Sequence, residues 1–127
     1  MSPAEVLLLA VAGGLGAVVR FLLDTAVSTR VHTSLPVATV GINVTGSFAL
    51  GLVAGLVLAG VADPGVQAVL GTGFLGGYTT FSTASYQSVS LALSGKWAAA
   101  VVNGLGTLAV SLAAALAGLA LAGALAP

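Results

Sequence analysis

Charged residues and cysteine are what this sequence most lacks. Its 127 residues include three basic side chains, three acidic side chains and no cysteine, whereas hydrophobic residues make up 58% of the chain. Soluble domains carry about a quarter charged residues, so this composition indicates an integral membrane protein. The absence of cysteine excludes disulfides, thiolate metal sites and cysteine nucleophiles. With so few basic residues there is no electrostatic surface for nucleic acid, which we exclude as a partner.

The scarcity of titratable groups also excludes most catalysis. One histidine and three acidic residues do not supply a nucleophile, a base and an orienting group that could act together. We therefore expect this protein not to be an enzyme.

Long hydrophobic stretches occupy the chain instead, separated by short connectors with proline, glycine and charge. Each stretch reaches the ~20 apolar residues needed to cross a bilayer. The four predicted spans are Ala4 to Val27, Pro36 to Val61, Val66 to Leu93 and Trp97 to Leu125. The sequence thus predicts an all-α membrane protein, with one four-helix transmembrane domain over residues 1–127 and the lipid bilayer as its surroundings.

The third span contains the most unusual segment, GTGFLGGYTTFSTAS, at Gly71 to Ser85. Its glycines, followed by the β-branched pair Thr79 and Thr80, predict a helix that is broken near the membrane centre. A break leaves backbone carbonyls without helical partners, and such carbonyls are suitable ligands for a hard cation. This part of the chain is too polar to face lipid, so we expect it to line a site or a pathway.

Two other polar features and one row of small residues lie inside the predicted spans, and each has two interpretations. Arg20 and Asp24 are four residues apart, which suits an ion pair on the helix surface, or Arg20 attracts anions at a pore mouth. Asn43 joins helices through its amide or contacts a ligand. The small residues Ser47, Gly51 and Gly55 serve close packing within one subunit or between two.

Hydroxyl side chains follow the predicted break about once per helical turn. Hydroxyls and amides donate to anions and also accept from cations, so residue types alone do not decide the charge of a ligand. A phenyl ring leaves the same choice, because its edge favours anions and its face favours cations. The residues concerned are Asn43, Phe81, Ser82, Thr83, Ser85 and Ser88.

The run GFLGGYTTFST at Gly73 to Thr83, the glycine-rich start leading to Arg20 and the segment GINVTGS around Asn43 resemble the bacterial fluoride channels called Fluc or CrcB. The resemblance covers essentially the whole chain. It implies an antiparallel, dual-topology dimer in the bacterial cell membrane, with two narrow anion pores and a central structural Na⁺ held by backbone carbonyls. The implied activity is passive export of cytosolic fluoride.

The resemblance also implies roles for individual residues. It makes Gly76 and Thr79 the Na⁺ positions, and Asn43 and Phe81 pore residues. It assigns Ser82 and Thr83 to a polar track, with Asn103 and Thr107 as the polar positions of span four. We assign Arg20 to the vestibule, the mouth through which anions enter.

The sequence departs from the family pattern at three positions, one of which is Asn103, where span four of the family frequently has an aromatic residue. Where the family usually has a second phenylalanine and then an acidic residue, this chain has Ala84 and Gln87. The two rings of a family pore come from different subunits, so a homodimer of this chain would lack part of each ring pair. We therefore expect an antiparallel partner that is either a related subunit or an identical one. Arg30 and Lys96 in the connectors favour both termini outside, by the positive-inside rule.

Two alternative functions remain open for a chain of this kind. A small four-span multidrug exporter needs a membrane-embedded carboxylate to bind cations and protons, but Glu5 and Asp24 lie near span ends. A non-conducting structural subunit is the other alternative, favoured by the missing ring.

Overall fold

The computed structural model describes residues 1–126 as helices joined by short connections. Helix α1 spans Pro3–Ser28 and α2 spans Val37–Leu58. The third segment is divided into α3, residues 64–78, and α4, Phe81–Leu93. Helix α5 covers Trp97–Leu125. No strand occurs in residues 1–126, which confirms the prediction of an all-α protein.

Three helices, α1, α2 and α5, are each long and apolar enough to cross a membrane. Hydrophobic length determines where they begin and end, because the predicted spans match these helices to within a few residues. Helices α3 and α4 are shorter, so a crossing by the third segment requires the two pieces together. Large apolar side chains such as Phe21, Leu58 and Leu93 are exposed on the outside of the chain, where lipid or another subunit can cover them.

Local sequence signals determine several helix ends. Ser2 and Glu5 form a reciprocal capping box at the start of α1. The Asp63 carboxylate accepts a 2.7 Å hydrogen bond from the Gly65 N–H at the start of α3. Beyond the ends of α2 and α4 the chain turns at Gly60 and Gly95, whose φ angles of 71° and 78° suit glycine.

Close backbone contacts hold the helices together at glycines. Helix α2 packs along residues 107–125 of α5, and a Cβ at Gly51 would overlap the Ala115 carbonyl. Helix α1 packs against α3, where a Cβ at Gly77 would overlap the Gly13 carbonyl. The small residues Gly51 and Gly55 therefore serve packing within one chain, one of the two interpretations that the sequence left open.

The break in the third segment lies after its glycines and not at them. The chain stays helical through Gly73, Gly76 and Gly77, with a π-helical section at Gln67–Leu75, and leaves helical geometry only at Thr79 and Thr80. Gly73 and Gly77 instead allow α3 to approach α1 closely. A second π-helical section, Val102–Gly106, lies in α5 where that helix packs on α4.

Candidate functional site

The break between α3 and α4 consists of two extended threonines. Thr79 has φ −77° and ψ 158°, and Thr80 has φ −146° and ψ 115°. β-Branched residues favour such angles. The Thr80 side chain also caps α4, because its Oγ1 accepts a 3.2 Å hydrogen bond from the Thr83 N–H.

Asn43 on α2 satisfies the broken backbone. Its Nδ2 donates to the Thr80 carbonyl at 2.9 Å, and its Oδ1 accepts from the Thr80 N–H at 2.8 Å. In an uninterrupted α-helix the Thr80 N–H would donate to the Gly76 carbonyl. Asn43 therefore replaces that helical bond, and one Nδ2 hydrogen remains for another acceptor.

Arg20 reaches the same break from α1. Its Nη1 donates to the Thr79 carbonyl at 3.0 Å, and the side chain is half-buried. Among the described residues Arg20 makes no hydrogen bond to Asp24, so the ion pair suggested by their spacing is not formed. Arg20 of α1 and Asn43 of α2 thus each donate a hydrogen bond to one of the two threonine carbonyls.

The two residues predicted to hold a metal, Gly76 and Thr79, are next to this break. The Gly76 carbonyl has lost its helical donor to Asn43, and the Thr79 carbonyl belongs to extended backbone. Side-chain ligands of the usual kind are not grouped anywhere in residues 1–126, where no cluster of three or more His, Cys, Asp or Glu occurs. A cation at the break would have to bind backbone or hydroxyl oxygens.

A groove of about 530 Å³ runs from the break between α2, α4 and α5. It brings together three of the predicted pore residues, Asn43, Phe81 and Thr107, with Ala84 beside them. The Phe81 ring is 88% exposed, so it projects from the chain at the edge of the groove. Six hydroxyl residues complete the polar lining: Ser47, Thr79, Thr80, Ser85, Ser88 and Ser111.

Ser82 and Thr83, two further predicted pore residues, do not line this groove. They lie on another face of α4, where both approach the capping Thr80 hydroxyl. The Thr80 Oγ1 is 2.9 Å from the Thr83 Oγ1 and 3.4 Å from the Ser82 Oγ. Their placement in a pore stays a prediction.

Helix α5 contributes a polar row at Asn103, Thr107 and Ser111, spaced four residues apart. Asn103 is 3% exposed and donates to the Ser88 Oγ at 2.8 Å, whereas the Ser111 Oγ is buried without a partner among the described residues. Sequence reasoning named the first two residues and missed Ser111. The i, i+4 spacing was the signal that could have identified it.

A second cavity, of about 540 Å³, lies between the end of α1 and the start of α2. Asp24, His32, Thr39 and Gln87 are among its lining residues, and the Gln87 Nε2 donates to the Thr39 Oγ1 at 3.1 Å. Arg20 is not among the residues that line this cavity. Its assignment to a vestibule stays a prediction, while its hydrogen bond lies at the break.

Comparison with known proteins identifies the family. The model of the family described as "CrcB-like protein, Camphor Resistance (CrcB)" matches residues 7–119. The chain is 52% identical to "Fluoride-specific ion channel FluC 1" of Leifsonia xyli subsp. xyli, over 97% of this chain and 90% of that protein. It is 42% identical to proteins of the same printed name from Streptomyces avermitilis, over 87% of this chain and 90% of the relative, and from Rubrobacter xylanophilus, over 93% of each. The chain belongs to the CrcB-like protein family.

Proposed function

We propose that this chain is a subunit of a fluoride-specific ion channel in a bacterial membrane. The observation that carries the proposal is its 52% identity, over 97% of its length, to a protein named as such a channel. The donor-lined groove beside the broken third segment supports it independently. The chain is a multi-pass membrane protein and not an enzyme.

The groove offers the chemistry that a dehydrated fluoride ion needs. Fluoride is small and strongly hydrated, so a pore that removes its water must supply hydrogen-bond donors in close succession. Thr107, Ser111 and the free Asn43 N–H are donors along the groove. The Phe81 ring adds an electropositive edge to the same lining. Among the described side chains that line the groove none is charged, which favours passive conduction over proton-coupled transport.

The chain's role as one of two antiparallel subunits is part of the proposal. With the third segment crossing as a broken helix, four spans enclose too little space for a complete pathway. The groove is open on one side, and the exposed Phe81 ring stands beside it. A second subunit would close the groove and cover this ring.

A central structural Na⁺ fits the residues at the break. Hard cations prefer oxygen ligands, and unwound helices in membrane proteins coordinate Na⁺ through freed carbonyls. Gly76 and Thr79 offer two such carbonyls in one chain, so two chains would offer four. Bound there, the ion would supply a fixed positive charge between the subunits.

Ala84 bears on which subunit is the partner. Its methyl group lines the groove next to Phe81, where a larger aromatic residue would narrow the pathway. We propose a heteromeric channel in which a related subunit supplies the missing ring.

Purification through a tag on this chain from its own host would test these proposals, because any second subunit would be purified with it. The reconstituted complex is expected to release fluoride from loaded liposomes and to retain chloride. Mass spectrometry of the intact complex would give the composition. Efflux of an organic cation, or of no ion, would favour the exporter or the non-conducting subunit instead.

The same liposome assay on the chain expressed alone addresses the partner. We expect slow fluoride efflux from this preparation. Rapid efflux from the pure single chain would reject an obligatory second subunit while leaving the fluoride channel intact.

A further inference from the structure

A full positive charge lies on one of the two carbonyls proposed for the metal. The Arg20 guanidinium, which stays protonated in proteins, donates from Nη1 to the Thr79 carbonyl at 3.0 Å. Its side chain is half-buried on α1, inside the predicted first span. In the single chain, therefore, the cationic side chain of Arg20 already lies at the break.

Among the described residues no carboxylate side chain forms an ion pair or a hydrogen bond with Arg20 at the break. Glu5 accepts a hydrogen bond from the Ser2 N–H at the chain's start, and Asp63 accepts one from Gly65 before α3. Asp24, one helical turn beyond Arg20, lines the cavity at the C-terminal end of α1 and forms no ion pair with Arg20 within residues 1–126. These are all three acidic residues of the protein.

One carbonyl oxygen can serve both cations. It has two lone pairs, so a guanidinium N–H and a metal ion can bind it at the same time. The two positive charges would nevertheless repel each other, and membrane burial leaves little water to screen that repulsion. Binding of Na⁺ at Thr79 must then overcome the charge of Arg20.

We infer that Arg20 is a positioning residue that holds the Thr79 carbonyl in the free subunit and lowers the affinity of the assembled site for Na⁺. This inference rests on the proposed Na⁺ site of the channel. It gives Arg20 a role at the break that differs from attracting anions at a pore mouth. It also explains how an isolated chain keeps its broken helix satisfied before a metal is bound.

The test measures Na⁺ binding without using transport. The thermal unfolding midpoint of the purified complex is followed as Na⁺ replaces N-methylglucamine at constant ionic strength, because a ligand of the folded state raises that midpoint. Arg20→Gln keeps an amide that can donate to Thr79 but removes the charge. Arg20→Lys keeps the charge and serves as the matched control.

Arg20→Gln is expected to respond to Na⁺ at concentrations at least tenfold lower than the unmodified protein, and Arg20→Lys within threefold of it. An unchanged or weaker response in Arg20→Gln overturns the inference. If Arg20→Gln does not fold, the lysine variant decides, because a tenfold change with the charge retained also overturns it.

Fluoride efflux measured on the same preparations separates the two proposals. A complex that conducts fluoride while its Na⁺ response is absent, or is insensitive to the charge at Arg20, refutes this inference alone. A complex that does not conduct fluoride but shows the expected Na⁺ shifts refutes the proposed channel function and supports the role of Arg20.

Discussion

At the scale of single residues, Asn43 has the clearest structural role. Its amide pairs with both the N–H and the carbonyl of Thr80, which is 9% exposed. A buried backbone group without a partner costs about 1–3 kcal/mol. Asn43 is therefore required for the break as well as being a candidate for ion contact.

Asn43→Ala is expected to reduce the free energy of unfolding by roughly 2–4 kcal/mol, because it leaves both Thr80 groups unpaired. Chemical unfolding in detergent measures the change. Ser47→Ala, one turn along the same helix and lining the same groove, is the control and should change stability by less than about 1 kcal/mol. Equal effects of the two variants would show that the Asn43 pairing contributes nothing.

A substitution at Thr107 tests whether the groove is the path that fluoride takes. Its side chain is 8% exposed and lines the groove. Thr107→Val keeps the shape and removes the hydroxyl, so fluoride efflux is expected to fall about tenfold, the effect of losing one hydrogen bond worth ~1.4 kcal/mol. Thermal stability measured in parallel should change little.

Thr45→Val is the control for Thr107→Val. The Thr45 hydroxyl lies 2.9 Å from the Tyr78 hydroxyl, and Thr45 does not line the groove. This variant should leave the efflux rate unchanged. Efflux that survives Thr107→Val at the full rate would place the ion elsewhere.

The sequence could predict that the third segment is broken but not the side chains that stabilise the break. Asn43 and Thr80 are 37 residues apart, and Arg20 and Thr79 are 59 apart. Each pairing depends on how α1 and α2 pack on the third segment. For Arg20, the nearest acidic residue in sequence, Asp24, suggested an ion pair instead of a hydrogen bond to the Thr79 carbonyl.

At the scale of helices, glycine positions separate two functions on α3. Gly77 contacts the Gly13 carbonyl so closely that no side chain fits, whereas the nearest atom to a Cβ at Gly76 is the Gly71 oxygen at 4.0 Å. Neighbouring glycines thus differ in what surrounds them. Gly77 is required for the contact between α1 and α3, whereas Gly76 has room for a side chain.

Gly77→Ala is accordingly expected to destabilise the fold by about 2–3 kcal/mol or more, because neither backbone can move without separating α1 from α3. Gly76→Ala should leave stability unchanged or raise it slightly, since alanine favours helix. Circular dichroism during unfolding in detergent compares the two. Similar losses in both variants would contradict the packing described here.

Helix ends were predictable, whereas the helix interior was less so. Hydrophobic length and the flanking proline, glycine and charged residues determine where α1, α2 and α5 begin and end. The glycines of α3 also predicted a break, but it lies at Thr79 and Thr80. Gly73 and Gly77 instead contact α1, and no local preference in the sequence reveals that contact.

In the whole molecule, three features of the single chain remain open to a partner or a ligand. Its groove is open, its Phe81 ring is exposed, and its break provides two of the carbonyls proposed for a metal. The family and the relatives make fluoride the ion to test. A second antiparallel subunit remains the proposal that would complete all three features together.

The reversal potential of the reconstituted complex, with fluoride on one side of the membrane and chloride on the other, shows directly which ion the complex conducts. We predict a current that reverses near the equilibrium potential of fluoride. A current that reverses near the chloride or cation potential, or no current from the intact complex, would show that this protein is not part of a fluoride channel.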